Sequence, residues 1–191
     1  MADNKIGILG GSFNPVHKAH IKLATHFLET YNAEKVVFVP CYVSPFKVDE
    51  STATAEHRVN MLKLATEGNS KFEINTYEVD NEDVSYTIDT VRHFNKVYPN
   101  KQLCLVIGGD QAENFHKWKD WKEILDIVDI YVALRKGYKI PTYDFEVYKK
   151  AVYMEMPYVE ISASEIREDV EKHSDFLNND VKEYIIENGV Y

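Results

Sequence analysis

Stretches that are apolar on nearly every residue alternate along this chain with stretches whose apolar residues recur every three or four positions. "KIGILG" (5–10), "KVVFVP" (35–40) and "QLCLVIGG" (102–109) leave no polar face. A strand of that kind must be covered on both sides, which happens in a parallel sheet flanked by helices. "FEINTYEV" (72–79), "IYVALR" (130–135) and "VYMEM" (152–156) read as further strands. Between the strands, Ile21, Ala24, Phe27, Leu28 and Tyr31 share one helical face, as do Val59, Leu62 and Ala65 in "AEHRVNMLKLATEG", where Gly68 is the expected C-cap. "SYTIDTVRHFNKVYP" opens on capping-type Ser and Thr and stops at Pro99. "WKEILDIV", "SASEIREDVEKH" and "NNDVKEYIIENGVY" read as helices, the last ending at Gly189. The pattern predicts an α/β chain: a Rossmann-like doubly wound parallel sheet with right-handed crossovers and a small helical C-terminal portion. Its length suits one domain over 1–191, with the irregular 136–150 stretch as a surface excursion. Ligands of such sheets sit beyond the carboxyl ends of the strands.

Charge and cysteine usage narrow the classes of function. The formal net charge is −9, which argues against a broad nucleic-acid or membrane footprint but leaves room for a local basic pocket. Cys41 and Cys104 stand in no CxxC pair and read as buried or half-buried free thiols, not as a disulfide framework or a zinc knuckle. "MADNKIG" has no basic-then-apolar leader pattern, and no run approaches the roughly 18 apolar residues of a membrane span. A cytoplasmic protein is expected.

The chemistry concentrates in "GILGGSFNPVHKAH" (7–20). Gly10 and Gly11 end the first strand, and a helix follows Pro15. Glycines let backbone approach a phosphate closely, and a helix start offers free N–H groups and a positive dipole end. The stretch is neither a GxGxxG fingerprint nor a Walker loop. His17 and His20, three apart, share a helix face. Three uses compete on spacing alone: a zinc pair, which needs a third ligand that no nearby carboxylate or Cys supplies; a structural cap on the turn; or donors to phosphate oxygens.

"GSFNPVHKAH" resembles the GxFxPxHxGH signature of the HxGH-type nucleotidyltransferases, and "ISASEIR" (161–167) resembles their ISSTxIR motif. "HRVNMLKLA" (57–65), "SYTIDT" (85–90), "IGGDQAENFHKWKDWKEIL" (107–125), "RKGY" (135–138) and "VKEYIIENGVY" (181–191) are similar to segments of the bacterial nicotinate-nucleotide adenylyltransferases. The likeness covers nearly the whole chain. It implies a nucleotidyltransferase-type sheet and adenylyl transfer from ATP to a pyridine mononucleotide, the acid in preference to the amide. It also implies Mg²⁺ carried with ATP and no metal held by protein ligands alone. ATP and nicotinate mononucleotide are the partners implied, with no nucleic acid and no membrane, and with a homo-oligomer left open. The nearest alternative is the same chemistry on nicotinamide mononucleotide, transfer of AMP to phosphopantetheine is a more distant one within the superfamily, and a non-catalytic nucleotide-binding or regulatory protein on this fold is one of another class.

The resemblance also implies roles. His17, His20 and Arg167 serve the reacting phosphates. Gly10 and Ser12 line the phosphate turn, and Phe13 the mononucleotide pocket. Gly108 and Asp110 face ribose hydroxyls, and Asp110 alternatively reads as a helix N-cap. Ile161, Ser162 and Ser164 begin the last motif helix on the ATP side, and Lys47 reaches a phosphate. Trp118 stacks on the pyridine, although Trp118 and Trp121 at i, i+3 also suit core packing. Thr87 and the backbone N–H groups near Ile88 and Lys119 receive the substrate carboxylate, and Arg135 serves a phosphate or the pocket. The sequence departs from the family pattern at Ala19, where the motif has Gly, and at Ala163 and Ser164 in ISSTxIR. It departs also at Ser44 and Phe46, in a segment that usually ends PPHK.

Overall fold

The computed structural model describes residues 4–45, 53–134, 149–155 and 161–191. Within them β1 (Lys5–Gly11), β2 (Lys35–Pro40), β3 (Phe72–Ile74), β4 (Gln102–Gly108), β5 (Asp129–Leu134) and β6 (Val152–Glu155) form one sheet in the order β3-β2-β1-β4-β5-β6. Every pairing is parallel. The chain therefore winds outward twice from a central pair, β1 and β4, and the switch point lies between them.

Helices cover both faces, as the unbroken apolar runs require. Alternation along β1 shows how. Ile6 and Ile8 point into a core built with Ile88, Val91 and Phe94 of α4 (Thr87–Val97) and Ile124 of α6 (Trp121–Ile127). Leu9 points into the opposite core, with Phe27 and Leu28 of α1 (Lys18–Thr30) and Met61 and Leu62 of α2 (Ala55–Thr66). Gly7 shares that second face, and a Cβ there would stand 2.7 Å from the Phe27 ring, so the α1–β1 contact needs glycine. Burying Phe27 completely is worth about 2–3 kcal/mol of apolar transfer.

Several expectations are corrected. The third strand stops at Ile74, because the Asn75 side chain accepts the N–H of Tyr77 and turns the chain into the short helix α3 (Tyr77–Asp80). The N-cap of α4 is Tyr86, with no side-chain cap; the Ser85 hydroxyl instead accepts the N–H of Tyr42. The C-cap of α2 is Glu67, and Gly68 follows it at φ +81°. "SASEIREDVEKH" is helical only over α7 (Ala163–Glu168), where Asp169 goes extended. The C-terminal helix α8 (Asn179–Asn188) ends at a left-handed Gly189 and packs Val181 and Ile185 into the α1–α2 core. Both cysteines are free and buried. No helix among the described residues is long and apolar enough to cross a membrane. Most of the 136–150 stretch lies outside the described residues.

Candidate active site

A cleft of about 800 Å³ opens beyond the carboxyl ends of β1 and β4, within the size range of small-molecule sites. Gly10, Ser12, Phe13, His17 and His20 line it from the first turn. Gly108 and Asp110 line it after β4, Thr87, Trp118 and Lys119 at one end, and Ile161, Ser162 and Arg167 at the other. Two residues named from sequence do not line it. Ile88 has its side chain fully buried in the core beneath α4, and Ser164 is exposed, accepting a hydrogen bond from the Arg167 Nη2 at 3.2 Å. Lys47, Phe46 and Arg135 lie outside the described residues.

The turn after β1 is shaped by its own backbone. At Gly10 a Cβ would find nothing nearer than the Val39 carbonyl at 4.0 Å, so the cleft comes right to the main chain there. Phe13 takes φ +47°, a left-handed conformation that costs a non-glycine residue about 1–3 kcal/mol. In return its ring is buried edge-on to His20, with centroids 5.1 Å apart, and against Phe38.

The two histidines do not share their tasks equally. His17 is the N-cap of α1, and the His20 Nδ1 accepts the His17 N–H at 3.2 Å. That is the reciprocal half of a capping box, made by imidazole where a Glu or Gln is usual. An Nδ1 that accepts cannot carry the proton, so neutral His20 carries it on Nε2. The rings stack at 3.8 Å, and the buried His17 Nδ1 finds no hydrogen-bond partner among the described residues. Burial pushes His17 down to about 4, and burial followed by the charge of His17 holds His20 well below the usual imidazole range. At neutral pH both rings are therefore uncharged N–H donors. Among the described residues no cluster of three His, Cys, Asp or Glu side chains is placed to hold a metal.

This pair gives the fold an acid weakness. In the unfolded chain both imidazoles take protons near pH 6.5; in the folded chain His17 resists until about pH 4. Between those values the unfolded state binds more protons, so stability falls as pH falls. We expect a loss of about 3 kcal/mol from His17 alone between pH 7 and pH 4. Urea unfolding at a series of pH values measures it; a flat midpoint from pH 7 to 4.5 would contradict the depressed values.

Two connecting residues carry no role in the sequence reading. Asn14, almost fully buried, accepts the Ala53 N–H and the Tyr191 hydroxyl on its Oδ1, while its carbonyl accepts from the Arg167 Nη1 at 2.9 Å. That last bond joins the two motifs across 153 positions of chain. Arg58 is 2% exposed and gives four hydrogen bonds to the carbonyls of Ser12, Cys41, Tyr42 and Ala53. It binds the phosphate turn to the end of β2 and the start of α2. Asn14 stands inside the first motif and Arg58 inside "HRVNMLKLA"; a charged residue on the apolar face of a predicted helix was the available signal.

Asp110 is not a cap. The N-cap of α5 (Gly109–Glu113) is Gly108, whose N–H donates to the Gln111 Oε1 at 3.0 Å, which leaves the Asp110 carboxylate facing the cleft. Ser162 does cap α7, accepting the Glu165 N–H while giving its own N–H and hydroxyl to the Glu165 carboxylate, which holds that carboxyl below its usual range. Trp118 serves two ends: it is half-buried on the core beside Phe115 and also lines the cleft. Glu78 lines the same cleft, hydrogen-bonded by the Thr90 hydroxyl, and burial pushes its carboxyl up.

Residues 8–169 match the cytidylyltransferase-like family. A nicotinate-nucleotide adenylyltransferase of Bacillus subtilis is 36% identical over 98% of this chain and 98% of its own. A probable nicotinate-nucleotide adenylyltransferase of Methylacidiphilum infernorum is 38% identical over 98% of this chain and 92% of its own. Among solved structures, a Plasmodium falciparum nicotinic acid mononucleotide adenylyltransferase complexed with NaAD superposes with a TM-score of 0.80. It covers 98% of this chain and 97% of its own at 21% identity, a likeness of fold.

Proposed function

This chain belongs to the cytidylyltransferase-like family and within it to the nicotinate-nucleotide adenylyltransferases, and we propose that its cleft joins ATP to nicotinate mononucleotide. The 5′-phosphate oxygen of the mononucleotide attacks the α-phosphorus of ATP. The bond from that phosphorus to the α–β bridging oxygen breaks, pyrophosphate leaves, and nicotinate adenine dinucleotide forms. The observation that carries this reading is the meeting of the two distant motifs in one cleft, with Arg167 hydrogen-bonded to the carbonyl of Asn14.

Such a displacement asks a protein mainly for positioning and for donors aimed at developing charge. His20, with its proton on Nε2, offers a neutral donor to a phosphate oxygen, and His17 offers a second. The start of α1 adds its dipole and Arg167 a fixed charge. Gly10 and Ser12 bring main chain against the phosphates. Gly108 and Asp110 take ribose hydroxyls, and Ser162, Ile161 and Lys47 complete the ATP side, with Ser164 acting from outside the lining through its hydrogen bond to Arg167. Phe13, Thr87, Trp118, Lys119 and Arg135 form the mononucleotide side, to which Ile88 gives its backbone N–H and not its buried side chain. Neutral N–H and O–H donors facing a carboxylate favour the acid, because the amide would set donor against donor. The donors here, neutral imidazoles, main-chain N–H groups and Arg167, would leave a Mg²⁺ to be brought in by ATP, and such an ion would supply charge neutralisation on the phosphates. The reading is of a single cytoplasmic domain whose partners are its two small-molecule substrates.

Pyrophosphate release with ATP and Mg²⁺, run in parallel on nicotinate and nicotinamide mononucleotides, tests it. We expect a preference for the acid of at least tenfold in kcat/KM. Equal rates would keep adenylyl transfer and discard the carboxylate pocket; no release with either would discard the reaction.

A further inference from the structure

The mononucleotide end of the cleft has two walls from separate elements: Tyr86 and Thr87 at the start of α4, and Trp118 and Lys119 just before α6. Whatever fixes the gap between them fixes the shape of that end. Arg92, on the second turn of α4, spans it. Its Nε and Nη2 meet the two carboxylate oxygens of Glu123 on α6 at 2.7 and 2.6 Å, a bidentate fork that sets angle as well as distance. Its Nη1 lies 3.3 Å from Asp89, and its Nη2 lies 3.7 Å from Asp120. Asp89 in turn meets the Lys119 Nζ at 3.6 Å, and that ammonium lies 4.4 Å over the Tyr86 ring. Asp120, the residue after Lys119, has φ +50° and is the N-cap of α6, so the guanidinium also holds a left-handed residue in place.

We propose that Arg92 is a positioning residue that sets the spacing of the two walls and thereby the selectivity of the site for the acid mononucleotide over the amide. The inference rests on the function proposed above, since it assigns the pyridine to this end. The Arg92 side chain is not among the residues that line the cleft and acts only through Glu123, Asp120 and Asp89. It is 41% exposed, so its loss disturbs the local walls more than the fold. A misplacement of about 1 Å in a binding wall can cost up to 10²-fold in rate.

The test compares the wild type, Arg92→Ala, Arg92→Lys and the charge-exchanged pair Arg92→Glu with Glu123→Arg. For each, KM for nicotinate mononucleotide, KM for ATP, the acid-to-amide ratio of kcat/KM and Tm are measured. We expect Arg92→Ala to raise KM for the mononucleotide about tenfold and to shrink the acid-to-amide ratio, with KM for ATP and Tm little changed. Arg92→Lys falls between, because an ammonium cannot form the fork, and the exchanged pair recovers part of the loss. An unchanged mononucleotide KM in Arg92→Ala would overturn the inference while leaving the reaction intact. A parallel rise in both KM values with a lowered Tm would overturn it too, by showing a merely structural role. Failure of the wild type to use either mononucleotide would remove the function and this inference with it.

Discussion

Replacing His20 by alanine lowers kcat by about 10²- to 10³-fold, the usual cost of removing one preorganised donor at a developing oxyanion. A single hydrogen bond fixes which ring nitrogen donates. Because the His20 Nδ1 accepts the N–H of His17, the proton sits on Nε2, and burial keeps the ring uncharged. The ring thus has one donor to give and a fixed direction to give it in. His20→Ala removes that donor together with the cap, so a second variant separates the two. In His20→Asn the side-chain oxygen stands near the Nδ1 position and can still accept the His17 N–H, while nothing reaches the Nε2 position. Steady-state pyrophosphate release should fall about equally in both variants. Urea midpoints should show His20→Asn the more stable. Turnover in His20→Asn close to the wild type would remove the phosphate role of this ring and leave it as a cap alone.

Arg58→Met produces the largest loss of stability. Its guanidinium satisfies the carbonyls of Ser12, Cys41, Tyr42 and Ala53 in an interior position, and methionine fills the space without replacing one donor. Truncating such a buried charged hub costs about 3–5 kcal/mol, against a total stability of about 5–15 kcal/mol for a domain. For a chain of this size each kcal/mol shifts Tm by about 2–4 °C, so a drop of roughly 6–20 °C is expected by calorimetry. Arg58→Lys should recover a minority of that, since three donors on one nitrogen cannot reach carbonyls on three separate segments at once. A drop in Tm of less than about 3 °C for Arg58→Met would mean that water or a neighbouring group serves these carbonyls equally well.

What was legible in the sequence tracks how local its cause is. The strands at 35–40 and 102–108 and the helix around Phe27 followed from the hydrophobic pattern, because burial on one face or two leaves a direct mark on residue order, and the end of the helix around Val91 followed from Pro99. The third strand is expected to run to 79 because Thr76, Tyr77 and Val79 keep a strand-like composition past Ile74, while the turn that shortens it depends on one side chain, that of Asn75, bonding two residues ahead. The cap expected at Ser85 failed because that hydroxyl is claimed by Tyr42, more than 40 positions away. Most of the residues gathered by resemblance do meet in one cleft, with the side chain of Ile88 and the exposed Ser164 outside its lining. The partners of Asn14, Arg58 and Arg92 were illegible, even though Arg58 stands out as a charge on an apolar helix face, since each joins segments that lie far apart along the chain, and no periodicity records a partner at such a distance.

The parallel order of the sheet has a consequence for how the chain comes into being. β1 precedes the other described strands along the chain, and it can pair with β2 once residue 40 has emerged. Its other edge pairs with β4, beginning with Lys5 opposite Gln102. At about 5–20 residues per second, that edge stays open for several to some twenty seconds on a growing chain. An apolar strand edge left open is a template for the wrong partner. The central strand, which carries the glycine turn at its end, is thus the interior strand that waits longest for its second neighbour, and the nascent protein is vulnerable at the place where the finished one works.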